Sequence, residues 1–170
     1  MRRGPKLAVA AGSLAVAALA AMAQGTTRDA TGGASEGAEE AADLAVLGRP
    51  VTLGMIELGA AVYAESCAAC HGVELEGQPD WRRRMENGRM PAPPHDGTGH
   101  TWHHADRDLF RITKLGVGGV VPGYESDMPA FEGLLSDDEI TAVLAYIKTS
   151  WSDRERTFQA DVSARTEDAR

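Results

Sequence analysis

Two thiols and an imidazole stand within five residues of one another, as Cys67-Ala68-Ala69-Cys70-His71. This C-x-x-C-H pattern reads as an attachment site for c-type haem. Each thiol can add to one vinyl group of the porphyrin, and the adjacent imidazole then meets the iron as a proximal axial ligand. Covalent attachment retains the haem even when an iron bond breaks. It also gives a small chain a large apolar ring to fold around. Other uses of the pattern fit less well. A structural zinc site takes four ligands, commonly with a second Cys pair, and this chain has two cysteines in all. A thioredoxin-like redox pair sits beside a βαβ pattern, and none is visible. A disulfide between Cys67 and Cys70 leaves His71 without a role.

The elements that must position these residues read as helices, so the expected fold class is all-α. A first helix is expected over 52–66, where Met55, Leu58, Gly59, Val62 and Tyr63 recur at helical spacing. It ends at Cys67 and so delivers the attachment motif. A second is expected over 106–115, with Asp106 and Asp108 at its positive N-terminal end and Gly116 as its stop. The last has the clearest signal. Ser136-Asp137-Asp138-Glu139 is a capping box, and Ile140, Val143, Leu144, Ile147 and Trp151 follow on one face. Between these helices lie long Pro- and Gly-rich loops, 88–101 and 116–133. Loops of that length are unusual in a small domain. Wrapping a haem accounts for them, because the ring replaces the missing packing.

On these residues the chain resembles the class I, mitochondrial-cytochrome-like c-type cytochromes over about 51–151. Besides the attachment motif, the resemblance rests on Gly59 with Tyr63 four residues later, and on Leu144-Ala145-Tyr146-Ile147-Lys148 in the last helix. It implies that Gly59 lets the first and last helices cross closely, with Val143 and Tyr146 at the crossing. The third feature is Ser126-Asp127-Met128-Pro129-Ala130-Phe131, just ahead of the last helix. There the family places its axial methionine, 57 residues after His71 in this chain. The resemblance therefore implies one covalent haem c, bound by Cys67, Cys70, His71 and Met128, with iron ligated by His71 and Met128. A Met/His pair raises the reduction potential and fills both axial positions. That is the chemistry of a single-electron carrier rather than an enzyme, and no catalytic residue is expected. Met55, Met85 and Met90 are the competing methionines. Met55 reads as helix core, and Met90, though followed by a proline, lies on the wrong side of the second helix for the family.

Residues 91–106 hold four of the five histidines, His95, His100, His103 and His104. One reading is a Pro-braced loop beside the haem, with Trp102 against the ring or a propionate. Another is a copper- or zinc-binding or sensing module over 95–104. A third is a small haem enzyme in which a loop histidine serves an open or labile sixth site. One of Pro91, Pro93 and Pro94 is expected to offer its carbonyl to Nδ1–H of His71, fixing the ring. Trp81-Arg82-Arg83-Arg84 is a local basic run that reads as a solvated face, or as a partner for propionates or an acidic protein.

The N-terminus reads as a signal peptide over 1–23. Arg2, Arg3 and Lys6 precede an apolar run from Leu7 to Leu19, and Ala21-Met22-Ala23 is a small-x-small cleavage pattern. The run is short for a membrane span, which takes about 20 residues. An uncleaved anchor is the alternative and the only membrane contact expected. Residues 24–50, rich in Gly, Ala and acidic side chains, read as a flexible linker. Residues 152–170, polar and charged, read as a C-terminal extension, either a frayed helix or a tail. The whole chain carries a net charge of −8, and −11 once the basic start is removed. That argues against nucleic acid and suits steering toward redox partner proteins. The expected location is periplasmic.

Overall fold

A computed structural model describes residues 44–168 of the chain. The expected signal peptide at 1–23, and the expected linker as far as residue 43, lie outside the described residues. A short antiparallel hairpin opens the fold, β1 (Ala45–Val46) against β2 (Arg49–Pro50). Leu47 and Gly48 turn it, both at positive φ. Thr52 then caps α1 (Leu53–Ser66), its Oγ1 accepting from the Met55 amide at 3.2 Å. Cys67 breaks the helix, and one further turn, α2 (Ala68–His71), completes the attachment motif. Residues 72–100 hold no regular element. A 3₁₀ turn (Thr101–His103) leads into α3 (Asp106–Val120). There follow α4 (Asp137–Thr149) and α5 (Asp153–Asp168). Five helices and one two-residue-per-strand hairpin among the described residues make the fold all-α, as expected.

The core forms where α1 crosses α4. Val62 and Tyr63 of α1 meet Ile140, Val143, Leu144 and Ile147 of α4, all buried. The close approach depends on Gly59. A Cβ there would land on the Ala142 carbonyl, 2.6 Å from its carbon and 2.8 Å from Cβ of Tyr146. Such distances leave no room for a methyl group. Tyr146 stands at this crossing as expected, and Val143 is buried in the adjoining core; the backbone that meets Gly59 is that of Ala142.

The capping box at the start of α4 forms in both directions. Ser136 Oγ accepts from the Glu139 amide at 3.2 Å, and Glu139 Oε2 accepts from the Ser136 amide at 2.8 Å. The Glu139 carboxyl is held below its usual range by these bonds. In α3 the backbone leaves the helical region at Gly116 (φ 71, ψ 162) and then makes one more turn to Val120. Gly116 therefore ends the regular part of the helix, as its position suggested.

Two boundaries differ from the expectation. The folded body begins at or before Leu44, not at 51, because Leu44, Val46 and Val51 are buried in the core. Residues 153–168 form a helix, one of the two expected forms, but it is docked on the body rather than frayed. Both differences trace to Asp106. Its Oδ2 accepts from the Leu47 amide at 2.9 Å, and its Oδ1 accepts from Nε2 of Gln159 at 2.6 Å. Nζ of Lys148 lies 2.7 Å from the same Oδ1 and also donates to the Ala45 carbonyl at 2.6 Å. The Asp106 amide in turn donates to Ser163 Oγ at 3.0 Å. A buried ion pair thus joins the hairpin, α3, α4 and α5, with both oxygens of the carboxylate engaged.

Candidate functional site

The attachment motif sits at the junction of α1 and α2. The Cys67 amide donates to the Tyr63 carbonyl at 2.9 Å, and the His71 amide donates to the Cys67 carbonyl at 3.0 Å. These bonds place both sulfurs and the imidazole within two helical turns. Both cysteines are free thiols, Cys67 half-buried and Cys70 exposed. Burial, helped by Cys70, pushes the Cys67 thiol up to about 11. It is therefore protonated at neutral pH, unlike an activated thiolate nucleophile.

His71 is buried. Its Nδ1 donates to the Pro93 carbonyl at 2.8 Å, so of the three candidate prolines the structure selects Pro93. With the proton committed to Nδ1, the lone pair lies on Nε2, which is left able to ligate a metal. Burial lowers the imidazole's proton affinity, partly offset by the Pro93 bond, and keeps the ring in its ligating neutral form. The proximal side is braced from below by Tyr63, whose hydroxyl donates to the Gly72 carbonyl at 2.8 Å. Burial pushes that phenol well above its ordinary range. His95 stacks on His71, with ring centroids 4.0 Å apart. Its Nδ1 pairs with Thr101 Oγ1 at 2.8 Å, and its carbonyl accepts from Trp151 Nε1 at 2.8 Å.

Met128 lies half-buried on a separate segment that α3 holds in place. The Phe131 amide donates to the Thr113 carbonyl at 3.3 Å, and the Glu132 amide to the Lys114 carbonyl at 2.9 Å. Gly116 lets this segment approach: a Cβ there would stand 3.3 Å from the Met128 carbonyl oxygen and 3.2 Å from the Ala130 nitrogen. Phe131 is buried beside it. Of the competing methionines, Met55 packs against the core, Met85 is exposed and Met90 is half-buried in the 81–91 loop.

The histidines of 95–104 do not converge on one point: His100 and His104 meet edge to face at 5.4 Å, but the others turn elsewhere. His95 faces His71, His100 stacks on Trp81 at 5.3 Å, and His103 lies against Trp102 and near Phe158 of α5. Among the described residues no three His, Cys, Asp or Glu side chains gather as a metal site. The expectation of a second metal centre at this loop therefore finds no ligand set. Sequence reading placed this loop beside the haem but did not foresee the His95–His71 stack.

The residues present fit a covalent haem. Two free thiols stand at the attachment spacing, an imidazole is oriented with its ligating nitrogen available, and a methionine sits on a braced segment. Trp102 Nε1 is a buried donor with no partner in the protein, of the kind a carboxylate-bearing group satisfies. No described helix is long and apolar enough to cross a membrane. No curated protein and no solved structure gave a match to the chain. The family model for cytochrome c matches residues 56–151, more than half of the chain, from the first helix to Trp151. The chain thus belongs to the cytochrome c family, whose members carry covalent haem c with its iron.

Proposed function

We propose that this protein is a periplasmic single-electron carrier in which Cys67 and Cys70 hold one haem c and His71 and Met128 fill the two axial positions. The observation that carries the reading is the Nδ1 bond from His71 to the Pro93 carbonyl, which leaves the Nε2 lone pair free for a metal and so supports its role as an iron ligand. Haem supplies a one-electron Fe(III)/Fe(II) couple when bound. The chain's residues do the rest. Cys67 and Cys70 tether, His71 is oriented by Pro93, and the Gly116–Ala130 contact stations Met128. The crossing of α1 and α4 keeps these parts rigid, so little rearrangement accompanies a change of charge. The apolar start at 7–19 and the small-residue site at 21–23 support export, in keeping with a family whose domains are commonly exported.

Mass spectrometry of the denatured protein tests attachment: one haem mass should stay with the chain. A low-spin visible spectrum with the weak near-infrared sulfur–iron band tests the Met128 ligation. A resting high-spin spectrum with rapid cyanide binding would overturn it in favour of an open-site haem enzyme. Fractionation of the producing cells tests the location.

A further inference from the structure

The Met128 segment is fixed firmly on one side only. After Met128, the Phe131 and Glu132 amides bond to α3, and Gly116 lets the chain approach. Ahead of Met128 the bonds are short-range. The Tyr124 amide donates to the Val121 carbonyl at 3.1 Å, and the Met128 amide to Ser126 Oγ at 3.1 Å. Neither ties the segment to the rest of the fold. Among the described residues, the one hydrogen-bonded tie from 122–128 to another segment is Asp127, which pairs with Arg89. The Arg84 guanidinium adds a weaker contact, 5.8 Å from the Tyr124 ring.

Arg84 and Arg89 belong to an arginine loop, 81–91, that holds Arg89 on a fixed backbone. The Arg89 amide donates to Asn87 Oδ1 at 3.0 Å, and its carbonyl accepts from the Met85 amide at 2.9 Å. The Gly88 amide donates to the Met85 carbonyl at 2.9 Å, and Arg84 Nη1 closes the turn on the Gly88 carbonyl at 2.7 Å. Both main-chain groups of Arg89 are thus engaged, and its guanidinium reaches outward. The same stretch of chain then runs to the other ligand. Ala92 is bonded to Gln78 twice, at 2.9 Å and 2.8 Å, and the next residue, Pro93, accepts from Nδ1 of His71. Asp127 is the immediate neighbour of Met128. The Arg89–Asp127 pair therefore links the stretch that orients His71 to the segment that bears Met128.

We propose that Arg89 and Asp127 form a clasp across the site, a positioning pair that keeps the Met128 segment seated and the sixth position closed to outside ligands. The proposal rests on the His71/Met128 reading. The two side chains are 39% and 51% exposed, so the pair adds little to global stability. Its effect is local. Opening 122–128 breaks no other hydrogen bond to a separate segment among the described residues, so even a weak tie sets much of the cost of that opening.

The test reads the sixth position directly, through cyanide binding to the ferric holoprotein and through the near-infrared sulfur–iron band. Arg89→Asp sets two carboxylates against each other, and Asp127→Arg sets two guanidiniums. Each should speed cyanide binding by about threefold to fivefold, the scale of an exposed ion pair, and weaken the band. The double swap, Arg89→Asp with Asp127→Arg, restores opposite charges and should return both readouts toward the native values. Arg83→Asp makes the same change of charge in the same loop as Arg89→Asp and should leave both readouts unchanged. Urea midpoints of all these variants should stay close to the native one. Cyanide binding at the native rate in both single variants, or a double swap as fast as the singles, overturns the proposal. So does an Arg83→Asp effect equal to that of Arg89→Asp, or a fall in urea midpoint that tracks the cyanide rate. A native spectrum without the band, or a band that survives Met128→Ala, fails the ligation reading itself and takes the clasp with it.

Discussion

The imidazole of His95 lies over that of His71, with centroids 4.0 Å apart and planes 21° from parallel. Burial first, then the neighbouring His71 and His100, push His95 well below the ordinary histidine range. The sign of the consequence follows. The unfolded chain protonates His95 near pH 6.5, whereas the folded chain does so only at lower pH. Between those values the unfolded state holds the extra proton. Stability is therefore full above about pH 6.5 and is lost as pH falls below it, at up to about 1.4 kcal/mol per pH unit per proton. Denaturant unfolding of the holoprotein at pH 7.5, 6.5 and 5.5 should show this decline, and His95→Leu should flatten it. An equal slope in the variant would mean that His95 is not held neutral. His100 and His104, lowered mainly by partial burial, add to the slope in the same direction.

The Gly59 crossing makes a second prediction. Gly59→Ala forces a methyl group onto the Ala142 carbonyl and should cost about 1–3 kcal/mol as the helices shift. Gly54, in the same helix, has no neighbour within 4 Å of a built Cβ. Gly54→Ala should be neutral or stabilising by up to about 1 kcal/mol. Chemical denaturation of both variants separates a packing requirement from helix propensity. Equal effects would remove the crossing argument.

The sequence made the chemistry more legible than the edges of the fold. Ser136 and Glu139 announce a helix start because capping is local, and Cys67 to His71 announces attachment because its spacing is the chemistry. Pro93 could not be told from Pro91 or Pro94, since the choice depends on how a loop of irregular backbone returns to His71. The hairpin was missed because its strands are two residues long, too short for any alternation, though Leu44, Val46 and the Leu47-Gly48 turn carried a faint signal. The docking of helix α5 was missed for a different reason. Its anchor is Gln159, buried by hydrogen bonds to Asp106, His104 and Ser163, and hydropathy reads a glutamine as surface.

That anchor network can be dismantled in a chosen order. Asp106→Ala leaves the Lys148 ammonium buried without its counter-charge and strips acceptors from Leu47 and Gln159. The expected loss is about 3–5 kcal/mol. Lys148→Met alone leaves Asp106 with the Leu47 and Gln159 donors and should cost less. The double variant should cost clearly less than the two single losses added, because the buried charges vanish together. Urea titrations of the three variants measure this. Additive losses would show that the pair is not coupled.

Met128 should be controlled from α3 through Gly116. The glycine sits at φ +71, and a Cβ there would crowd Ala130, Pro129 and the Met128 carbonyl at 3.2–3.3 Å. Gly116→Ala therefore strains the backbone and pushes the Met128 segment outward together. The expected phenotype is a weakened sulfur–iron band and faster cyanide binding, with the haem still attached through Cys67 and Cys70. Met128→Ala should go further, abolishing the band and lowering the midpoint potential, since loss of a thioether ligand removes the term that raises it. Met90→Ala should leave both readouts unchanged. If Met90→Ala rather than Met128→Ala removed the band, the iron would draw its second ligand from the arginine loop, and the bracing of 128–132 by Thr113 and Lys114 would serve stability alone.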